Sequence, residues 1–171
     1  MLYARSSTTV SAFEVQRSLI TATTNLDGGG SIAADSKGGV YVAWHGNAVG
    51  DDGTEAHRRV WLARSRNDGA TFERERAISP QSDGACGCCG LRLASSPHGM
   101  LYLLYRSAVA TSNRDVYVLS SGDGGQKFQS ERLHPWNIAA CPMTSMSIFA
   151  ARDYVLGAWE TAGQVFYTDI R

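Results

Sequence analysis

The 171-residue sequence has no excess of either charge: lysine and arginine total 16, and so do aspartate and glutamate. That balance excludes the broad electrostatic footprint of a generic nucleic-acid or acidic-membrane binder. No apolar run approaches the roughly 20 residues a helix needs to cross a bilayer, so no membrane span is expected. The opening MLYARSSTTV lacks the cationic, apolar and small-residue succession of a signal peptide. It reads instead as the middle of a strand. Glycine, by contrast, is plentiful at eighteen, and with seven tyrosines and many Val, Ile, Thr and Ser residues it points to short strands and tight turns. The length suffices for one domain with a real core.

Internal repeats organise the chain. SIAADSKGGVYVAWHGNA, LRLASSPHGMLYLLYRSA and SMSIFAARDYVLGAWETA align by eye. Each is a strand rich in small residues, a short turn, and an alternating apolar strand ending in an aromatic: Trp44, Tyr105 or Trp159. A further strand follows each one: RRVWLARS, RDVYVLSS and GQVFYTDI. Alternation such as Val116-Tyr117-Val118-Leu119 suits sheets stacked on both faces. The repeat units run roughly over 1–30, 31–90, 91–146 and 147–171.

A second repeat follows the third strand of two units. Ser65, Asn67, Gly69 and Phe72 fall in register with Ser121, Asp123, Gly125 and Phe128. Ser6, Thr8 and Phe13 keep part of the pattern, with Val10 where glycine belongs. A short acidic or amide side chain can bond its own backbone in such a turn. Glycine supplies positive φ without strain, and the terminal Phe can pin the turn by burying its ring.

These octets resemble the Asp boxes (BNR repeats) of sialidases and related secreted β-propellers, with departures at Asn67 and Lys127. Residues 86–171 also resemble bacterial BNR-repeat proteins of the sialidase-like, or exo-α-sialidase-like, group, which share a Cys-x-Cys-Cys loop and a later Cys-Pro loop. The resemblance implies an all-β fold: an incomplete β-propeller of about three four-stranded antiparallel blades with Asp-box turns. It implies glycan binding, and exo-α-sialidase-type glycoside hydrolysis in a full-length form that is extracellular or periplasmic. No cofactor is required by that reading. Asp boxes are structural, however, and occur in propellers of many functions. The remaining blades would come from a longer chain or a second copy, because three blades leave open sheet edges.

If the octets join third to fourth strands, antiparallel alternation sends two other sets of loops to the opposite face: those between blades and those from second to third strand within a blade. The between-blade loops are TTNLDGGG, SPQSDGACGCCG and HPWNIAACPMTSM; the within-blade loops are HGNAVGDDGTEAHRR, RSAVATSNRD and ETAG. A glycan or other small ligand is expected there. Sialidase chemistry calls for cationic groups, a carboxylate-assisted tyrosine nucleophile and an acid/base carboxylate. Arg92, Arg106 and Arg114 are cationic candidates. Asp51, Asp52, Glu55 and Glu160 are candidate carboxylates, with Asp27 and His57 on the same face. No Arg-Ile-Pro motif, the usual mark of true sialidases, is present. A solvated loop charge or an inter-blade salt bridge is the structural alternative for each.

Cys86, Cys88, Cys89 and Cys141 sit in equivalent loops of successive units and are expected to be neighbours. Three uses stay open. They can form disulfides stapling a recognition or assembly propeller. They can hold a soft metal, copper or zinc, with Met143, Met146 or His57 nearby. They can also be free thiols.

Overall fold

Two-residue alternation of apolar side chains is what a sheet covered on both faces requires, and the computed structural model carries strands on those segments. It describes every residue except Thr8, Thr111 and Arg171, and for Ser7, Val10 and Ser11 the backbone alone. The partial first octet, which includes Thr8, therefore lies in part outside the described residues.

The chain begins with β1 (Leu2–Tyr3), β2 (Ser6–Ser7), β3 (Val10–Phe13) and β4 (Arg17–Ser18), in which β1 pairs with β4 and β2 with β3. A four-stranded sheet follows in sequence order: β5 (Thr23–Ala34), β6 (Val40–Ala48), β7 (Arg59–Ser65) and β8 (Arg76–Ala77). The second has the same order: β9 (Arg92–Ser95), β10 (Leu101–Arg106), β11 (Val116–Ser121) and β12 (Gln129–His134). The third has three strands: β13 (Met146–Ala150), β14 (Val155–Thr161) and β15 (Gln164–Asp169). All pairings are antiparallel. The fold is all-β.

Successive sheets pack face to face, with β5 beside β9 and β9 beside β13. Alternation divides each middle strand between two cores. Tyr41 and Ala43 of β6 face the second sheet, while Val42 and Trp44 join Leu19, Met1 and Tyr3 of the N-terminal pairs. Leu101, Leu103 and Tyr105 of β10 face the first sheet, and Tyr102 and Leu104 face the third. The aromatics closing the middle strands are packing residues. Trp44 and Tyr105 are fully buried, and Trp159 donates its indole N–H to His134 at 3.2 Å. Truncating a buried Trp to Ala costs roughly 3–5 kcal/mol.

One segment departs from the sequence reading. TTNLDGGG, expected as a loop, is the first part of β5, and Asp27 pairs with His45 and Gly30 with Trp44. Register shifts between Thr24 and Asp27 and between Asp27 and Gly30 absorb the extra residues. Gly28 and Gly29 both take φ of 73° there, which bulged strands exploit.

Candidate functional site

The two octets close one end of the sheets with the same hydrogen bonds. Ser65 donates to Asn67 Oδ1 at 2.9 Å and accepts from the Gly69 N–H at 3.0 Å; the Thr71 N–H donates to Asn67 Oδ1 at 2.9 Å. Ser121, Asp123, Gly125 and Lys127 repeat those bonds at 2.9, 3.0 and 2.9 Å. The amide oxygen of Asn67 thus does the work of the Asp123 carboxylate. The Lys127 backbone N–H, first among several donors, holds the Asp123 carboxyl below the usual carboxylate range. Phe72 packs edge-on against Tyr3, and Phe128 lies against the core between the first two sheets. Phe13 of the partial octet is exposed. A groove of about 330 Å³ opens at this end beside Asp35, Tyr41 and Arg64. Its polar groups already serve one another: Asp35 accepts from Tyr41 and from the Lys37 and Gly39 N–H groups, and Arg64 pairs with Glu73.

The connections β6–β7, β8–β9, β10–β11 and β12–β13 meet at the opposite end. The bulge of β5 touches the turn 87–89, where a Cβ on Gly28 would collide with the Gly87 carbonyl. Glycine is required on steric grounds there. Arg58 is buried and bridges Asp27 at 3.2 Å and Glu55 at 3.4 Å; Arg114 reaches the other Glu55 oxygen at 2.8 Å. Arg106 is fully buried, donates to the carbonyls of Arg114 and Glu160, and lies over the Trp136 ring at 5.0 Å. Arg58 Nε, Arg106 Nε and Arg114 Nε and Nη1 have no hydrogen-bond partner. Arg58 and Arg114 therefore meet on Glu55 from two sheets, with Asp27 as a second, solvent-facing counter-charge for Arg58, while Arg106 bonds neutral acceptors.

A cavity of about 300 Å³ opens at this end, lined by Met1, Leu26, Asp27, Gly28, Trp44 and His45. His45 is buried, and neither ring nitrogen has a partner of hydrogen-bond geometry. Burial, with the nearby Arg58 charge adding to it, pushes its pKa down to about 4, so the ring is neutral at pH 7. A tyrosine–carboxylate pair exists too: Tyr105 donates to Asp83 at 2.9 Å. Both residues are buried, and burial raises the phenol far above its ordinary value. That pair anchors the fold and does not supply a nucleophile.

All four cysteines gather beside Arg106 and Arg114. Cys88 and Cys141 form a disulfide that joins the connection before β9 to the one before β13. Cys86 and Cys89 are free and buried. Cys86 donates to Cys89 at 3.5 Å, and that bond favours the Cys89 thiolate and disfavours that of Cys86.

The other sequence candidates are distributed differently. Asp51 accepts from the Ala48 N–H at 3.0 Å, and Asp52 accepts from the Thr54 N–H and hydroxyl and pairs with His57. Both are exposed and shape the loop between β6 and β7. Glu160 accepts from the Gly163 N–H at 2.8 Å in the β14–β15 turn. Arg92 is exposed and donates to the Leu91 carbonyl. Met143 is exposed, whereas Met146 lies in the core between the second and third sheets. Arg58 and His45 lie at the heart of the site without having been singled out as site residues. The signal for Arg58 was its place at the mouth of a buried strand, where a charge must find partners.

No family model matches this chain, and no curated protein matches it in sequence. Solved structures do resemble it. A Hadza microbial sialidase, Hz136, superposes with a TM-score of 0.64 at 13% identity, covering 96% of this chain and 37% of the sialidase. A protein of unknown function from Dyadobacter fermentans DSM 18053 aligns with a TM-score of 0.49 at 14% identity, covering 84% of this chain and 53% of that one. The chain thus has a sialidase-like β fold and spans little more than a third of the sialidase's length.

Proposed function

We propose that this chain is a section of a BNR-repeat β-propeller, with Asp boxes at 65–72 and 121–128, that binds glycans at the end opposite them. The observation that carries the reading is the cavity at Asp27. It lies on the bulged first strand of a sialidase-like sheet, with Arg58 bridging Asp27 and Glu55 beside it. Carboxylates accept from sugar hydroxyls, and the guanidinium behind them answers an acidic sugar. Arg106 and Arg114 are sealed from solvent and hold this end together; the exposed edges of Asp27 and Glu55 meet the ligand. The Cys88–Cys141 bond suits an extracellular or periplasmic protein. Hydrolysis would require further groups from a longer chain, because the Tyr105–Asp83 pair is buried and the Tyr41–Asp35 pair lies at the octet end.

A recognition or assembly propeller without catalysis is the second reading, favoured by the same disulfide between neighbouring connections. Titration calorimetry with sialyllactose and with lactose, beside an assay with a fluorogenic sialoside, separates the two. The glycan reading expects saturable binding that Asp27→Ala weakens at least tenfold while the melting curve stays cooperative. Absence of heat with either sugar, together with absence of turnover, would sink it.

A further inference from the structure

Two buried free thiols beside a disulfide are more than a staple needs. Cys86 Sγ lies 3.1 Å from Cys88 Sγ and 3.5 Å from Cys89 Sγ, and the sulfurs of Cys88 and Cys89 are 3.9 Å apart. Cys86, Cys88 and Cys141 present their sulfurs within 4.8 Å of one another. A tetrahedral ion with metal–sulfur bonds of about 2.3 Å keeps its sulfurs about 3.8 Å apart. Three of the separations already bracket that value. Cys89 lies outside that group, so on reduction the bonded pair has to part and the sulfurs of Cys89 and Cys141 have to draw together.

The surroundings are built for negative charge. Arg106 forms no ion pair among the described residues, and its hydrogen bonds go to neutral acceptors: two carbonyls and the Thr161 hydroxyl. Arg114 has Glu55 alone, with two of its buried nitrogens unpartnered. Arg106 bears electrostatically on Cys89, and Arg114 on Cys86. A buried cation without a counter-charge is costly. Arg58, Arg106 and Arg114 have only Asp27 and Glu55 as ion-pair partners, which leaves one positive charge to offset part of the net charge of about −2 on four thiolates around a divalent ion. The Thr144 hydroxyl, buried and 3.8 Å from Cys89 Sγ, is the kind of outer donor that orients a thiolate ligand.

We propose that Cys86, Cys88, Cys89 and Cys141 form a binding site for a thiophilic d¹⁰ ion, zinc(II) or copper(I), that opens only when the Cys88–Cys141 bond is reduced. A dithiol reductant delivers two electrons and two protons to that bond and itself closes to a disulfide, leaving four thiols on the chain. Zinc(II) then displaces four protons and is held by four thiolates. With the bond closed, two sulfurs are lost as ligands and the site is shut. The spacing, with adjacent Cys88 and Cys89 and a lone Cys141, fits no standard zinc motif. The site is assembled by the packing of neighbouring sheets.

The test uses the whole chain, air-oxidised and dithiol-reduced, under argon. Cobalt(II) followed by zinc(II) is titrated in one arm and copper(I) in the other, with circular dichroism confirming that the reduced chain stays folded. The expected result is one equivalent of zinc(II), copper(I) or both bound by the reduced chain and none by the oxidised one. Bound metal should shield all four cysteines from alkylation, read by mass spectrometry. Cys86→Ser and Cys89→Ser should each weaken binding at least tenfold. Shielding in the unmodified chain keeps the question open to test if a variant fails to fold. Absence of uptake of either ion by the folded, reduced chain would overturn the proposal. So would equal uptake in both redox states, or shielding that omits Cys86 or Cys89.

Discussion

Arg114 Nη2 meets Glu55 Oε2 at 2.8 Å, tying the connection ahead of β11 to the connection ahead of β7 in the neighbouring sheet. The same carboxylate holds Arg58 on its other oxygen. Glu55→Gln should therefore strand charge on Arg114, whose side chain is only 5% exposed. Breaking a fully buried pair costs roughly 3–5 kcal/mol. Glu55 keeps a third of its side chain in water, so a loss of about 2 kcal/mol is expected. Urea denaturation measures it. The double variant Glu55→Leu with Arg114→Met should recover most of the loss, and equal losses in single and double variants would argue against the bridge.

His45 makes stability depend on pH in a defined window. Its folded pKa is pushed down to about 4, against about 6.5 when unfolded. As pH falls, the unfolded chain takes up the proton first. The contribution is therefore complete above about pH 6.5 and is lost progressively as pH falls towards 4. A shift of that size corresponds to roughly 3 kcal/mol. Other carboxylates titrate in the same range, so the informative quantity is the stability of the natural chain relative to His45→Leu. That difference should shrink between pH 7 and pH 4; parallel curves would show that His45 is not the group responsible.

The octets predict a different pattern. Ser65 and Ser121 each accept from a glycine N–H and donate to the acidic or amide residue two positions on. Both serines are buried, so Ser→Ala at either should cost about 1–2 kcal/mol by leaving a backbone donor without a partner. Asn67→Asp keeps the oxygen that accepts from Thr71 and should lie within about 0.5 kcal/mol of the natural chain. Thermal melts of the three variants check this, and a large loss in Asn67→Asp would mean the two turns are not equivalent.

These turns, and the strands around them, were legible because their cause is local. Period-two alternation fixes which residues of β6 and β10 face each neighbour, and the serine, acidic or amide residue and glycine bond within five positions. The gathering of the four cysteines was legible through the repeat alignment. The choice of Cys88 and Cys141 as partners was not, because it depends on how one connection crosses another. Asp51 and Asp52 looked like site carboxylates, yet each lies beside a backbone N–H that it caps. For Asp52 the Asp-Gly-Thr setting carried that signal in the propensity of aspartate to bond two residues on. His45 and Arg58 were hidden for the opposite reason: both depend on burial, and Arg58 also on partners contributed by β5 and the loop after β6. The bulge in β5 was missed because its glycines read as a loop.

The outer edge of β15 supplies the remaining prediction. In the first two sheets a fourth strand, β8 or β12, covers the third, but no strand among the described residues covers β15. Val165 and Tyr167 alternate along it, each more than three-quarters exposed. A strand edge with apolar side chains is a template for pairing with another chain. This chain should therefore associate as its concentration rises. Lysine at both positions should suppress the association, because like charges brought opposite one another across an antiparallel pair repel. Sedimentation velocity over a concentration series measures the effect. A natural chain that stays monomeric throughout would refute the prediction, as would a doubly substituted one that associates equally well. Loss of association with an unchanged melting temperature would place the contact on β15 itself and not on a partly unfolded form.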